Sequence, residues 1–382
     1  MKGLMRILKI VAKAFAFAVL IAACTVAAFA GTFYYFTGSP TSFIKFFRTF
    51  YIVENQYAGA VDKSTLMEGA LEGIVAKLED RHSLFMDGKT FENFSNQTTA
   101  SYGGVGIYLG VHNGSPIVIK VIEGEPAEQE GVQRGDVITA IDGTAVDGLS
   151  LKEISTKIRG PVGSSVSMTL QRDGEEFSVT LERKQIHLKT VAGDMIPDSN
   201  IGYIQIAVFS ENTGKEFTEL FQSLQQRGME KLVLDLRNNP GGLLDQAVIV
   251  ANSFVPPDST LLSYTDRNGK EMQYTAAGTD QRISMAVLVN ENSASAAEII
   301  AGAVQDLELG SIVGVTTYGK GTVQGVYPLD QADAIKLTVA KYKTAKGRII
   351  DGIGIEPDVY VPLEAGDTAD RQFEKAVELL KQ

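Results

Sequence analysis

The sequence predicts a multidomain α+β protein with an N-terminal transmembrane helix and helical arm, a β-rich module, and a layered α/β core. Three observations support this fold class. An uncharged apolar run lies near the N-terminus, short alternating strands with hairpin turns follow from Tyr102, and strands that alternate with helices begin near Leu188. The length of 382 residues exceeds one ordinary core, and 44% hydrophobic with 21% charged residues is typical of globular protein.

The N-terminal apolar run is long enough to cross a membrane. The 23 residues from Ala14 to Phe36 are uncharged, against roughly 20 that a membrane-spanning helix needs. Aromatic residues at its far end, Phe33 to Phe36, are typical of a membrane interface. Four basic residues precede the run and predict a cytoplasmic N-terminus with the rest of the chain outside: Lys2, Arg6, Lys9 and Lys13.

Two alternatives to an uncleaved anchor remain open. Ala28-Phe29-Ala30 resembles a signal-peptidase site, and Ile21-Ala22-Ala23-Cys24 resembles a lipoprotein box. The apolar run continues past Cys24, whereas a mature lipoprotein turns polar there, so the anchor is the preferred interpretation. The anchor and both alternatives would all export the chain. The expected localisation is the cell membrane, single-pass, with the later domains on the extracytoplasmic side.

A helical arm and a β-rich module follow the apolar run. Residues from about Thr41 to Phe94 are predicted to be helical, and we assign them no chemistry. Asn113-Gly114 and Asp173-Gly174 predict two hairpin turns, and Val166, Met168 and Leu170 alternate on one side of the second hairpin. Between the hairpins we expect a short helix at Pro126–Gln129 and a longer one from Leu151 to Ile158.

The last part of the chain predicts a layered α/β domain. The expected strands are 201–209, 232–236, 285–290 and 335–342. The expected helices are one with an apolar stripe at Phe217, Leu220, Phe221 and Leu224, two that start at Leu243 and Ala296, and a charged C-terminal helix.

The charge and histidine counts exclude several function classes. A net charge of −11 repels nucleic acid backbones, so nucleic-acid binding is not expected. The three histidines show no metal-ligand spacing, and they are expected in three separate places: His82 in the arm, His112 in a hairpin turn and His187 at a domain junction.

Three segments of the α/β domain carry residues suited to catalysis. Asp235 to Gly242 is a strand that runs into a glycine turn, which is either an ordinary tight turn or a place where backbone amides bind an anion. Ser295 to Glu298 fits a helix-capping box, but a serine at a helix N-terminus also sits where amides stabilise negative charge. Each segment alone permits the purely structural alternative.

The third segment, Gly319 to Gln324, contains a lysine between glycines. Gly314 to Lys320 resembles a nucleotide-binding loop, but Gly321 stands where Ser or Thr must bind magnesium, so a nucleotide hydrolase is disfavoured. A lysine can instead act as a base. Deprotonating an ordinary lysine at pH 7 costs about 4–5 kcal/mol. Burial disfavours the charged amine and can offset most of that cost. The neutral Gln324 can orient the amine without favouring its charged form.

Together these segments resemble the C-terminal processing (tail-specific, carboxyl-terminal) serine peptidases that contain a PDZ domain. The family pattern S-A-S-A-S-E maps onto Ser293 to Glu298 with one departure, Ala297. The family's G-K-G-T-V-Q stands unaltered at Gly319–Gln324, and Lys320 follows Ser295 by 25 residues. The resemblance implies a serine-type endopeptidase in which Ser295 is the nucleophile, Lys320 the general base, and Gln324 completes the site.

The same resemblance implies where substrates bind. An oxyanion hole would comprise backbone amides of three residues: Gly241, Gly242 and Ala296. Tyr102-Gly103-Gly104-Val105-Gly106-Ile107 looks like a PDZ carboxylate-binding loop, so Gly104, Val105, Gly106 and Ile107 would bind apolar C-terminal tails of protein or peptide substrates by β-augmentation. No metal or nucleotide cofactor is expected, and a homodimer through the arm or the C-terminal helix is left open.

The resemblance also divides the chain. We expect a basic flank and transmembrane anchor at 1–38, a helical arm at 39–100, a PDZ domain at 101–187, and a Ser-Lys protease domain with a C-terminal helix at 188–382. The main rival is a catalytically silent PDZ scaffold that binds protein tails at the membrane; a second is an acyl-transfer enzyme acting on non-protein substrates. An inert scaffold would be expected to have lost Ser295, Lys320 or Gln324, and all three are present.

Overall fold

A computed structural model describes residues 2–279, 282–363, 366 and 369–382 of the chain. The chain divides into two compact units, Met1–Glu79 and Asp80–Gln382. The first unit is helical, and the second combines helices with four β-sheets among its described residues.

The N-terminal unit consists of three helices: α1 (Lys2–Thr37), α2 (Pro40–Gln56) and α3 (Lys63–Ala76). Gly38, with φ of +65°, ends α1, and proline is well suited to the first turn of α2 because its missing N–H has no helical partner there. From Ile10 to Thr37, α1 is long and apolar enough to cross a membrane, a property that signal sequences share. This segment includes the predicted anchor.

The second unit begins with β1 (Leu84–Met86), α4 (Gly88–Thr99) and β2 (Ser101–Gly104). The prediction of helix from Thr41 to Phe94 is therefore wrong at β1. Leu84–Met86 pairs with a later strand at Ala334–Lys336, and Phe85 and Met86 are buried there. Long-range pairing overrides the local helical pattern in this segment.

The β-rich module contains eight elements: β3 (Ile107–His112), β4 (Ser115–Val121), α5 (Pro126–Gln129), β5 (Val137–Ile141), β6 (Thr144–Ala145), α6 (Leu151–Ile158), β7 (Ser165–Arg172) and β8 (Glu175–Glu182). Its sheet has the order β3-β4-β5-β7-β8, with β6 on β5. Both predicted hairpins and both predicted helices are confirmed. Asn113 and Asp173 adopt positive φ before their glycines, as this tight hairpin turn requires.

The remaining elements build the α/β core: β9 (Lys184–His187), β10 (Val191–Met195), β11 (Ile201–Ile206), α7 (Thr213–Gln226), β12 (Lys231–Asp235), α8 (Leu244–Ala251), β13 (Thr260–Thr265), β14 (Glu271–Thr275), β15 (Ser284–Val289), α9 (Ala296–Asp306), β16 (Gly310–Gly314), β17 (Thr322–Pro328), β18 (Ala334–Thr344), β19 (Val359–Tyr360) and α10 (Arg371–Lys381). Of these, β9 pairs with β2. The predicted strands and helices of this domain are present within a few residues of the expected bounds.

A six-stranded sheet in the order β10-β11-β12-β15-β16-β19 organises the core. Strands β11 to β19 along this order run parallel, and β10 is antiparallel at one edge. Side chains of β12 alternate between two hydrophobic clusters, one with α7, α8 and α9 and the other with α10. The parallel strands β12 and β15 end side by side, so the segments that follow them meet at one edge of the sheet.

A second sheet, which the sequence did not predict as a unit, has the order β1-β18-β13-β14 with β17 also on β18. Gln324 pairs with Thr338 and Val326 with Lys336 along β17 and β18. This sheet positions the segment after Lys320 against the rest of the core.

Phe217 tests the packing of α7 on the parallel sheet. Its ring is fully buried and stacks on Phe221 with the ring centroids 5.6 Å apart. We expect Phe217→Ala to lower the free energy of unfolding by about 3–5 kcal/mol, because it leaves a cavity in the core. Thermal denaturation checks this, with Lys215→Ala on the exposed face of the same helix as the control; equal melting temperatures for the two variants would contradict the packing described.

Candidate active site

The segments after β12 and β15 are joined by a set of short hydrogen bonds. The Asn238 N–H donates to Asn290 Oδ1 at 2.8 Å, and Asn290 Nδ2 donates to Asn238 Oδ1 at 2.9 Å. The buried Ser293 hydroxyl donates to the Leu236 carbonyl at 2.8 Å, and the Ala294 N–H donates to the Asn239 carbonyl at 2.9 Å. These contacts fix the glycine turn beside Ser295.

The glycine turn approaches the serine so closely that a side chain has no room. Gly241 has φ of +94°, and a Cβ there would lie 2.7 Å from Ser295 Cβ. Gly242 has φ of +138°, and a Cβ there would lie 2.0 Å from the Phe209 carbonyl oxygen. The Gly241 N–H already donates to Asn239 Oδ1 at 2.8 Å. Both positions therefore require glycine for space and for backbone conformation.

Ser295 has a strained backbone at the N-terminus of α9. Its φ of 53° and ψ of −113° are unusual for a residue with a side chain, and such conformations cost about 1–3 kcal/mol. The residue is partly exposed, whereas Ala294 and Ala296 on either side are buried. The Ala296 N–H belongs to the first turn of α9, where backbone N–H groups have no acceptor within the helix.

Glu298, fully buried one turn into α9, joins the serine to the lysine segment. Its Oε2 accepts hydrogen bonds from the backbone N–H groups of Ser295 and Lys320, both at 2.8 Å. Its Oε1 accepts from the Gly319 N–H at 2.7 Å and from the Thr317 hydroxyl at 2.6 Å. One carboxylate thus fixes the backbone of both predicted catalytic residues.

A second buried side chain, Tyr342 on β18, contacts the same two segments. Its hydroxyl lies 3.0 Å from the Lys320 carbonyl oxygen and 3.3 Å from the Ser295 carbonyl oxygen, and it donates toward both. Burial raises the pKa of Tyr342 well above its usual value, which keeps the hydroxyl proton available for donation.

The environment of Lys320 favours the neutral amine. Burial lowers the pKa of Lys320, and the positive charge of Lys336 lowers it further, while the negative charge of Glu298 opposes the change. This is the direction that a lysine general base requires, since the protonated amine cannot accept a proton.

Ser295 and Lys320 line different cavities. A cavity of about 220 Å³ contains Ser295 and Gln324, and it has apolar walls from Leu243, Leu262, Ile299, Val326 and Phe94. Lys320 lines another cavity, of about 350 Å³, together with His82, Asn238, Pro240, Asn292, Ala294 and Tyr318. The Gln324 side chain lies in the first cavity and donates to the Thr322 hydroxyl at 2.7 Å.

The sequence prediction for His82 is wrong. His82 does not lie in the helical arm but follows α3, in the turn before β1, and it lines the same cavity as Lys320. Burial lowers the pKa of His82, and the charge of Lys320 lowers it further. The helical spacing of the arm gave no indication of this position, because pairing of β1 with β18 brings the turn to the site. His112 and His187 end strands β3 and β9.

A groove in the β-rich module contains most of the predicted tail-binding residues. A cavity of about 320 Å³ lies between β3 and α6, with Val105, Gly106 and Ile107 on one side and Leu151 and Ile158 on the other. Gly104 does not line it. Gly106 has φ of +81°, and a Cβ there would lie 2.3 Å from the Glu125 side chain. A groove between a strand edge and a helix can receive an extended peptide as an added strand.

Sequence reasoning missed several residues around the site. The sequence placed Glu298 in a capping box and at the end of the family pattern, but neither signal predicted its hydrogen bonds to the lysine segment. Phe94 and Thr98 of α4 line the serine cavity, as does Lys336 of β18. For these residues and for Tyr342 the sequence offered no local signal, because their contacts depend on how the second sheet packs.

Comparisons with known proteins agree with this architecture. Peptidase family S41 matches residues 200–361, a PDZ domain matches 117–172, and the N-terminal domain of the activating protease CtpB matches 32–90. The carboxy-terminal processing protease CtpA of Bacillus subtilis (strain 168) is 35% identical over 326 residues, which are 85% of this chain and 70% of CtpA. The chain belongs to the carboxy-terminal processing serine proteases of peptidase family S41.

Two further relatives support the assignment. CtpB of the same Bacillus subtilis strain is 35% identical over 319 residues, or 82% of this chain, and the aligned part spans 66% of CtpB. A solved photosystem II D1 C-terminal processing protease superposes with a TM-score of 0.51 at 30% identity, covering 88% of this chain and 91% of that structure. The predicted family and fold class are confirmed.

Glu298 provides a test of the site's construction. We expect Glu298→Gln to lower kcat/KM on a peptide substrate by about 10- to 100-fold, because an amide NH₂ would face hydrogen-bond donors in place of a carboxylate oxygen. Steady-state kinetics on the folded variant measure this. Glu291→Gln, an exposed carboxylate in the same loop, is the matched control. Equal activity of the two variants would show that the Glu298 contacts do not hold the catalytic geometry.

Proposed function

We propose that this protein is a membrane-anchored endopeptidase that recognises C-terminal tails and cleaves the protein that bears them with Ser295 and Lys320. The contact set of Glu298 is the observation that supports this most strongly, since one buried carboxylate joins the backbone at both residues. The lowered pKa of Lys320 also favours the neutral amine, which is the form that can accept a proton.

In the first half of the reaction, the Ser295 hydroxyl oxygen attacks the scissile carbonyl carbon and its proton passes to the neutral Lys320 amine. The carbonyl oxygen gains negative charge. The tetrahedral intermediate then collapses, the C–N bond breaks, and protonated Lys320 gives its proton to the leaving amine. An ester between Ser295 and the substrate acyl group remains.

In the second half, water attacks the ester carbonyl and gives a proton to Lys320, which returns it to the Ser295 oxygen as the acid product leaves. The Ala296 and Gly242 N–H groups are the proposed donors to the oxyanion in both halves; each such donor is worth about 100- to 1,000-fold in rate. Gly241 can contribute its N–H only if that group leaves Asn239 Oδ1, to which it donates in the substrate-free chain.

Gln324 is proposed to hold the Lys320 amine toward Ser295. In the substrate-free chain its amide donates to the Thr322 hydroxyl, so this role requires the side chain to exchange that contact for one with Lys320. The exchange is short-range, because Thr322 lies two residues from both Lys320 and Gln324.

Tail recognition is proposed for the groove between β3 and α6. The backbone amides of Val105, Gly106 and Ile107, but not of Gly104, which lies outside the groove, would receive the terminal carboxylate and the last strand of the substrate. Apolar side chains from both walls, among them Leu109 and Ile158, favour an apolar tail. With α1 as an uncleaved anchor, we propose that the PDZ domain (101–187) and the protease domain (188–382) act on the extracytoplasmic side.

The base assignment predicts a specific pH dependence. Wild-type kcat/KM should rise with pH through the lowered pKa of Lys320, because activity follows the neutral amine. Ser295→Ala and Lys320→Arg should each lose at least about 1,000-fold at every pH. His82→Gln should lose far less than Lys320→Arg. Two results together would contradict the lysine assignment. The first is a loss of kcat/KM in His82→Gln as large as that in Lys320→Arg. The second is residual activity of Lys320→Arg that still rises with pH near the usual histidine pKa.

Tail recognition predicts a difference between two reporters of one sequence. An unfolded reporter with an apolar free tail should be cleaved with a KM about 10- to 100-fold lower than the same reporter with an amidated tail, because amidation removes the charge that the loop amides receive. Identical KM values for both reporters would contradict tail recognition by the groove without affecting the assignment of Ser295.

A further inference from the structure

Lys336 is a second lysine in the serine cavity. It lies on β18 opposite Val326 of β17, and both side chains line the cavity that contains Ser295. The residue is half-buried. The proposed roles of the nucleophile and the base do not require an ammonium group at this position, and the other residues of the cavity wall are mostly apolar.

The charge of Lys336 is not balanced by a neighbouring carboxylate. Its Nζ lies 5.6 Å from the centroid of the Phe94 ring, which offers only a weak cation–π contact. Among the described residues no ion pair joins it to Asp or Glu, and burial is the cause that lowers its own pKa. An uncompensated charge that is partly shielded from solvent acts strongly on other charges nearby.

Charged and titratable groups surround Lys320 on several elements. Glu298 on α9 accepts the Lys320 backbone N–H, the Tyr342 hydroxyl on β18 donates to the Lys320 carbonyl, and His82 lines the same cavity as Lys320. Lys336 on β18 lines the serine cavity, and its positive charge acts on Lys320 from there. Arg81 beside His82 and Asp351 after β18 act on His82 with opposite signs. Glu298 favours a protonated Lys320, whereas burial, the largest cause, and the charge of a second amine favour the neutral form. Lys336 is the cation whose charge acts on Lys320 in this sense.

We propose that Lys336 is a positioning residue whose ammonium group, unpaired in the serine cavity, offsets the charge of Glu298 and keeps Lys320 in the form that accepts the Ser295 proton. This rests on the proposed roles of Ser295 and Lys320. A nearby positive charge disfavours protonation of an amine, so removing the charge of Lys336 makes protonation of Lys320 easier.

The test compares pH profiles of kcat/KM for the full chain in detergent. Lys336→Met and Lys336→Gln remove the charge, Lys336→Arg keeps it, and Lys343→Met is the matched control on the exposed face of the same strand. We expect both neutral variants to lose about three- to tenfold at pH 7 and to approach wild type as the pH rises toward about 10. Lys336→Arg and Lys343→Met should keep the wild-type acidic limb. His82 titrates in every variant, so the comparison concerns the difference between profiles.

An equal loss at every pH in both neutral variants, with an unmoved acidic limb, would overturn the inference and leave Lys336 as a packing or substrate-contact residue. This failure is distinct from failure of the proposed function. Activity that survives in Lys320→Arg would overturn the base assignment, whatever the Lys336 variants do.

Discussion

The buried carboxylate of Glu298 is the interaction on which the site depends. A carboxylate without solvent is costly unless hydrogen bonds replace its hydration, and here three backbone N–H groups and one hydroxyl do so. Because those donors come from the start of α9 and from the segment 317–320, the carboxylate is satisfied only when both segments are in place. Thr317 extends the set further, since its hydroxyl also accepts the Ile355 N–H at 2.7 Å.

The parallel sheet explains why this strained arrangement persists. The turns after β12 and β15 meet because their strands are neighbours, and the paired Asn238 and Asn290 side chains hold them together. Ser295 can then keep its unfavourable φ, because Ala294 and Glu298 fix the backbone on either side of it. The two glycines complete the site by allowing backbone groups to approach where any side chain would collide.

Much of the fold could be predicted because local patterns determined it. The hairpins at Asn113-Gly114 and Asp173-Gly174, the amphipathic α7 and the alternation of strands and helices all follow from short-range rules. What could not be predicted depends on pairing across long sequence separations. The strand β1 meets β18 about 250 residues later, and this contact brings His82 and α4 to a site that sequence reasoning had confined to three other segments.

The same distinction applies to the proposed catalytic residues. Ser295, Lys320 and Gln324 were predicted by spacing and by resemblance, whereas the electrostatic surroundings of Lys320 come from residues distant in sequence, such as Lys336 and His82. A motif predicts which amine is the base, but only the packed structure specifies the charges that act on that amine.

The most direct measurement of the central claim is the titration of the Lys320 amine itself. In the full chain with ε-¹³C-labelled lysine, the resonance missing from Lys320→Arg identifies Lys320, and its chemical shift is followed with pH. We expect a titration midpoint below the ordinary lysine range, so that an appreciable fraction of the amine is neutral at the pH where the enzyme works. A midpoint at or above that range would contradict a neutral lysine base beside Ser295.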